Sequence, residues 1–106
     1  LMDLDNQDKA IGESRALAEI IDQELAKSAS HTNIKRCKNP YPDIQSGKTD
    51  FILRSARFPA VIVESGYLCN ANDRKNLQDQ KARQKIVESV YKGVINYGKQ
   101  KGWPKF

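Results

Sequence analysis

Glu64 is the most informative ionisable residue in the sequence. It closes the apolar run Pro59-Ala60-Val61-Ile62-Val63 and opens the small, polar stretch Ser65-Gly66-Tyr67-Leu68-Cys69-Asn70. A carboxylate at the end of an apolar strand is costly to desolvate unless a cation, a metal-bound water or hydrogen bonds receive it. Two roles fit: a structural ion pair with Arg54 or Arg57, or a general base that takes a proton from water and returns it to a leaving amine. His31 is the one histidine of the chain. Catalytic zinc ordinarily needs three protein ligands drawn from His, Glu, Asp and Cys. His31, Cys37 and Cys69 have no ligand spacing, so weak zinc binding or none is expected of this chain by itself, and no cysteine–histidine nucleophile pair is indicated. Cys37 and Cys69 lie 32 residues apart, outside any CxxC pattern. Two free thiols and one disulfide are both compatible with that spacing.

The elements that would position Glu64 follow from periodicity. Ala10, Ile11, Ser14, Leu17, Ala18, Ile21 and Leu25 recur at the three-and-four spacing of one helix face, which predicts an amphipathic helix over 8–27, with Asp5 or Asn6 as its cap. From Ser28 to Lys48 the period is lost and Asn39, Pro40, Pro42, Asp43 and Gly47 mark a long loop. Phe51-Ile52-Leu53 and Pro59 to Val63 read as strands, the second apolar on consecutive positions as in a sheet covered on both faces. The predicted class is therefore α/β, helices packed on a mostly parallel twisted sheet, with a site at the carboxyl edge of the strand that ends in Glu64. Asp73 is placed as the cap of a short turn to Leu77. Ala82, Ile86, Val90, Val94 and Tyr97 then predict a helix over 80–97, closed by Gly98 and Gly102.

Composition bounds the possibilities. The chain has 106 residues, which amounts to one domain at most, and its 39% apolar and 29% charged residues suit a folded soluble chain better than a disordered or membrane-embedded one. The longest uncharged apolar run, Phe58 to Val63, has six residues, where roughly 20 are needed to span a bilayer. The expectation is thus no membrane span and no retained signal peptide. The net charge of +5 is compatible with nucleic acid, an anionic lipid surface or an anionic cell-wall polymer as partner. The basic residues are scattered along the sequence without an aromatic-interleaved stripe, and no nucleic-acid partner is expected from them.

The order of segments resembles the C-terminal half of the zinc-dependent N-acetylmuramoyl-L-alanine amidases. The matching residues are Ser14-Arg15-Ala16-Leu17-Ala18, Arg36-Cys37-Lys38, Phe51-Ile52-Leu53-Arg54, Pro59 through Asn70, Asp73, and Gly93-Val94-Ile95-Asn96-Tyr97. The resemblance implies peptidoglycan hydrolysis at the amide between N-acetylmuramic acid and L-alanine, a cell-envelope location, and a zinc cofactor. Glu64 matches the family's catalytic glutamate, Arg54 the arginine closing its strand, and Asn70 the asparagine after its loop. Arg54 and Asn70 are thereby candidate substrate-binding residues. The family's zinc ligands precede the segment that begins here, and His31-Thr32-Asn33 follows the Ser14–Ala18 helix instead of preceding it. Residues 1–106 are accordingly expected to form part of one catalytic domain, completed by an N-terminal half from the same protein or a second chain. The other readings are a non-catalytic peptidoglycan-binding or regulatory fragment and a small basic nucleic-acid-binding module.

Overall fold

The computed structural model describes residues 4–28 and 51–104. The expected loop over 29–48, with His31, Arg36, Cys37 and Lys38, lies outside the described residues. Among the described residues the helices are, in order, α1 (Leu4–Lys27), α2 (Phe51–Ser55), α3 (Ala71–Gln78) and α4 (Gln80–Gln100). The two long helices pack against each other and form the main layer, with α3 leaning on α4.

The predicted amphipathic stripes account for α1 and α4. Leu17 and Ile21 of α1 meet Tyr97 of α4 in a buried cluster, and Ala16, Ile20, Leu25, Val90 and Val94 pack around it. Ile11, at the margin of the α1 stripe, is exposed. The two axes approach closely at Gly93, where an added Cβ would lie 2.7 Å from Ile21 Cγ1 and 2.8 Å from Ile21 Cα. A hydrogen bond from Asn96 Nδ2 to Glu24 Oε1 at 3.1 Å joins the helices farther along, and Lys27 Nζ donates to the same oxygen at 2.9 Å. Lys27 also brings a cation to the carboxyl end of α1, where the helix dipole favours one. Asp5 and Asn6, proposed as caps, are instead inside the first turn of α1.

Helix α4 ends in a Schellman motif. Trp103 N–H donates to Gly98 O at 2.8 Å and Gly102 N–H to Lys99 O at 3.2 Å. Gly102 sits at φ 72°, a left-handed conformation that suits glycine. The sequence reading gave Gly98 the same terminating role. It is a helical residue, and its lack of a side chain admits Trp103, whose Cε3 would lie 2.7 Å from an added Cβ. Trp103 then meets Tyr97 edge to face, with ring centroids 5.4 Å apart.

The α/β expectation is overturned: the described residues contain no strand and no sheet. Phe51-Ile52-Leu53, read as a strand, begins helix α2. Phe51 and Ile52 favour strands, but that preference is expressed only against a partner segment, and none pairs with it among the described residues. Pro59 to Tyr67 runs outside any helix and is not paired in a ladder. A strand is defined by hydrogen bonds to a neighbour, and the chain has no second extended segment among its described residues to supply them. The segment does keep the period-two alternation of a sheet surface. Val61 and Val63 pack on the Leu17–Ile21–Tyr97 cluster, whereas Ile62 faces away and is 53% exposed. The consecutive apolar run reflects one face covered by helices and an opposite face left bare.

Candidate functional site

Two hydrogen bonds bracket the segment that carries Glu64. Upstream, Ala60 N–H donates to Ser14 Oγ on α1 at 3.0 Å, which ties the segment to the helix layer. Downstream, Tyr67 N–H donates to Asp73 Oδ2 at 2.9 Å. Glu64 therefore lies between two anchored points, four residues after one and three before the other. Val63 on one side of it is held in the apolar cluster.

The loop after Glu64 is built around the start of α3. Asn70 is the N-cap of that helix, with extended φ and ψ, and its side chain accepts from Asp73 N–H at 2.9 Å. Asn70 N–H donates to Tyr67 O at 3.0 Å, and an Arg74 guanidinium nitrogen donates to Leu68 O. Asp73 is only 2% exposed. Its carboxylate reaches back to Tyr67 from the first turn of α3, where the exposed helix amides favour negative charge. Gly66 permits this approach, because an added Cβ would stand 3.3 Å from Asp73 Cβ and 3.4 Å from Leu77 Cδ1.

Two sequence assignments change here. The cap is Asn70, not Asp73, and Asp73 is a buried clamp on the loop. The Asn70-x-x-Asp73 spacing is the signal that distinguishes the two, since a capping side chain bonds the amide three residues on. Asn70 spends its side-chain oxygen on that amide.

Glu64 itself is exposed and forms no ion pair with Arg57 or any other described side chain. Arg54 falls on α2, a helix rather than the strand end the sequence suggested, and its side chain lies outside the described set. Cys69, one residue before the cap, is disulfide-bonded, which decides between the two states left open for it. Among the described residues, no three His, Cys, Asp or Glu side chains gather as a metal-ligand set. These residues do not by themselves fit a zinc ion. No helix is long and apolar enough to cross a membrane among the described residues.

The profile of the N-acetylmuramoyl-L-alanine amidase family matches residues 4–96. The chain belongs to that family. Among its relatives is the germination-specific N-acetylmuramoyl-L-alanine amidase of Bacillus subtilis, 27% identical over 94 residues, a match covering 87% of this chain and 35% of that protein. A "Probable cell wall amidase LytH" of Staphylococcus aureus is 29% identical over 83 residues, covering 78% of this chain and 25% of its own length. A "Probable N-acetylmuramoyl-L-alanine amidase AmiB" of Haemophilus influenzae is 37% identical over 46 residues, covering 43% of this chain and 11% of its own length. The chain thus spans about a third or less of the curated relatives it matches. No solved structure matches it. Nothing in these comparisons favours a nucleic-acid-binding module or a non-catalytic wall-binding fragment.

Family membership gives a physical reading to the motifs. Gly93 of the Gly-x-x-x-Tyr pattern stands against Ile21 with no room for a Cβ, and Tyr97 is only 1% exposed. Ser14 of the first motif anchors the segment that ends in Glu64.

Proposed function

We propose that this chain is the C-terminal part of an amidase catalytic domain that hydrolyses peptidoglycan at the N-acetylmuramoyl–L-alanine amide, with Glu64 as its proton-transfer residue. The observation that carries the reading is the placement of Glu64: an exposed carboxylate without an ion-pair partner among the described residues, on a segment fixed at Ala60 and Tyr67. A general base must reach the water it deprotonates and then the amine nitrogen that leaves, so it needs a fixed backbone and a free head group. Glu64 has both. It takes a proton from the attacking water and delivers it to the L-alanine nitrogen as the amide bond breaks.

The zinc expected of the family is held by residues outside this segment, in an N-terminal half of the domain. That half docks against the bare face of the 58–64 segment, where Ile62 is half exposed and Phe58 largely so. Exposed apolar side chains of this kind mark a contact surface. Arg54 and Asn70 are retained as substrate contacts, Asn70 through the amide nitrogen that its capping bond leaves available. The disulfide at Cys69 suits an oxidising compartment, in keeping with an envelope location.

The test is complementation. The chain is combined with zinc and the ligand-bearing N-terminal half of a family member, and release of L-alanyl peptide from muropeptide is measured. Restored cleavage is expected, and E64Q should lose about a hundred- to ten-thousand-fold in rate with the melting temperature unchanged. Wild-type turnover by E64Q would remove Glu64 from the mechanism. A lower melting temperature with preserved turnover per folded molecule would return it to a structural role.

A further inference from the structure

The charges of the chain are sorted between its two long helices. Helix α1 carries Asp5, Asp8, Glu13, Glu19, Asp22 and Glu24 against Lys9, Arg15 and Lys27. Helix α4 carries Lys81, Arg83, Lys85, Lys92 and Lys99 against a single carboxylate, Glu88. At 3.6 residues per turn, Lys81, Lys85, Lys92 and Lys99 fall within an arc of about 40°, roughly a quarter-turn or slightly more from the buried face. That buried face is formed by Ile86, Ser89, Gly93 and Tyr97. Lys85, Lys92 and Lys99 repeat every seven residues, so their Cα atoms step along the helix by about 10.5 Å each. All four lysines are exposed. None forms an ion pair with a described side chain, since the bridges between described residues are Arg15–Glu19 and Lys27–Glu24, both within α1. Arg83 points elsewhere and donates to Leu77 O at 2.8 Å.

From this geometry we infer that the lysine stripe of α4 is a docking surface for a linear polyanion of the phosphodiester type carried by cell walls. A straight row of exposed cations matches a chain with charges repeated along its length, and each neutralised phosphate releases a counterion. A lipid surface fits less well. The stripe is bordered by Glu88 and Asn96, while the exposed large apolar side chains of α4, Val87 and Tyr91, lie about 135° and about 95° from its centre. A helix lying in a bilayer interface needs a broad apolar face to insert, and the apolar face of α4, with Ile86, Val90, Val94 and Tyr97, is already turned into the fold. The choice of a wall polymer rests on the amidase reading, but the charge geometry is independent of it. The test below requires no hydrolysis, so it can fail while the amidase reading stands, and the reverse.

The experiment titrates the 106-residue chain with purified poly(glycerol phosphate) at several salt concentrations, with far-UV circular dichroism to establish that each variant folds. Four lysine contacts at about 0.7 counterion each predict a log–log salt slope near 3, or about 50-fold weaker binding on going from 50 to 200 mM salt. K85Q/K92Q/K99Q should lower the slope to about 1 and weaken binding at low salt about tenfold or more. The arginine triple variant at the same positions should retain binding. K9Q/R15Q/K27Q removes the same number of charges from α1 and should bind like the unaltered chain. Four outcomes would overturn the proposal: salt-insensitive binding, unchanged binding by the α4 glutamine variant, an equal loss in the α1 variant, or tighter binding to phosphatidylglycerol vesicles than to the polymer.

Discussion

Replacing Gly93 with alanine should destabilise the fold, although alanine is the better helix former. In an exposed helix the exchange of glycine for alanine gains about 1 kcal/mol. At Gly93 the new methyl would stand 2.7 Å from Ile21 Cγ1, 2.8 Å from Ile21 Cα and 3.2 Å from Ile21 Cβ. A side-chain end could rotate away, but a Cα can move only with its helix, so α1 and α4 must separate by about 1 Å to restore ordinary contact distances. Overpacking of this kind costs about 1–3 kcal/mol. Leu17, Ile21 and Tyr97 share the disturbed interface, which places the cost in the upper part of that range and leaves a net loss of about 1–2 kcal/mol. Gly12 is the internal control. It lies in α1 with nothing within 4 Å of an added Cβ, so Gly12→Ala should gain about 0.5–1 kcal/mol. Urea denaturation followed by far-UV circular dichroism measures both, with the midpoint moving down for Gly93→Ala, up for Gly12→Ala, and the slope unchanged. A rise in the Gly93→Ala midpoint equal to that of Gly12→Ala would refute the close approach of the helices.

Asp73→Ala removes the acceptor of Tyr67 N–H and should cost about 2 kcal/mol, as a buried hydrogen bond to a charged group does. Amide exchange at Tyr67 should accelerate with it, and an unchanged exchange rate would argue against the clamp. Ser14→Ala should cost about 1 kcal/mol through loss of the Ala60 bond, with faster exchange at the Ala60 amide and normal helix content as its signature. Burial first, and the Glu13 carboxylate second, raise the Tyr97 phenol above its ordinary value of 10.0. The unfolded chain then releases that proton at lower pH than the folded one, so this contribution is intact below pH 10 and lost as pH rises through the folded value. Stability should fall as pH rises above 10.0, and Tyr97→Phe should remove that part of the fall.

Helices α1 and α4 were legible in the sequence because their evidence is local. Leu17 and Ile21, and Ile86 and Tyr97, fall on stripes that a single helix can display by itself, and the structure buries all four. The Glu64 loop was legible as a motif, though its internal wiring was not. The Asn70-x-x-Asp73 spacing has a capping meaning in one direction only, and which residue caps depends on where the helix begins. The strands were misread for a different reason. Pro59 to Val63 has the composition of a buried strand, and its inner residues do meet the helix layer.

The sequence by itself determined the two long helices, the apolar segment that ends at Glu64 and the family to which the chain belongs. Tertiary structure decided what lies at a distance in sequence. Ser14 holds Ala60 across 46 residues. Gly93 is small because Ile21 lies against it. Scattered lysines become one row because helix α4 continues unbroken from Gln80 to Gln100. The absence of a sheet among the described residues follows the same logic. A helix satisfies its backbone hydrogen bonds within its own segment, whereas a strand satisfies them only through a neighbour, so strand character belongs to a pair of segments and cannot be read from one of them.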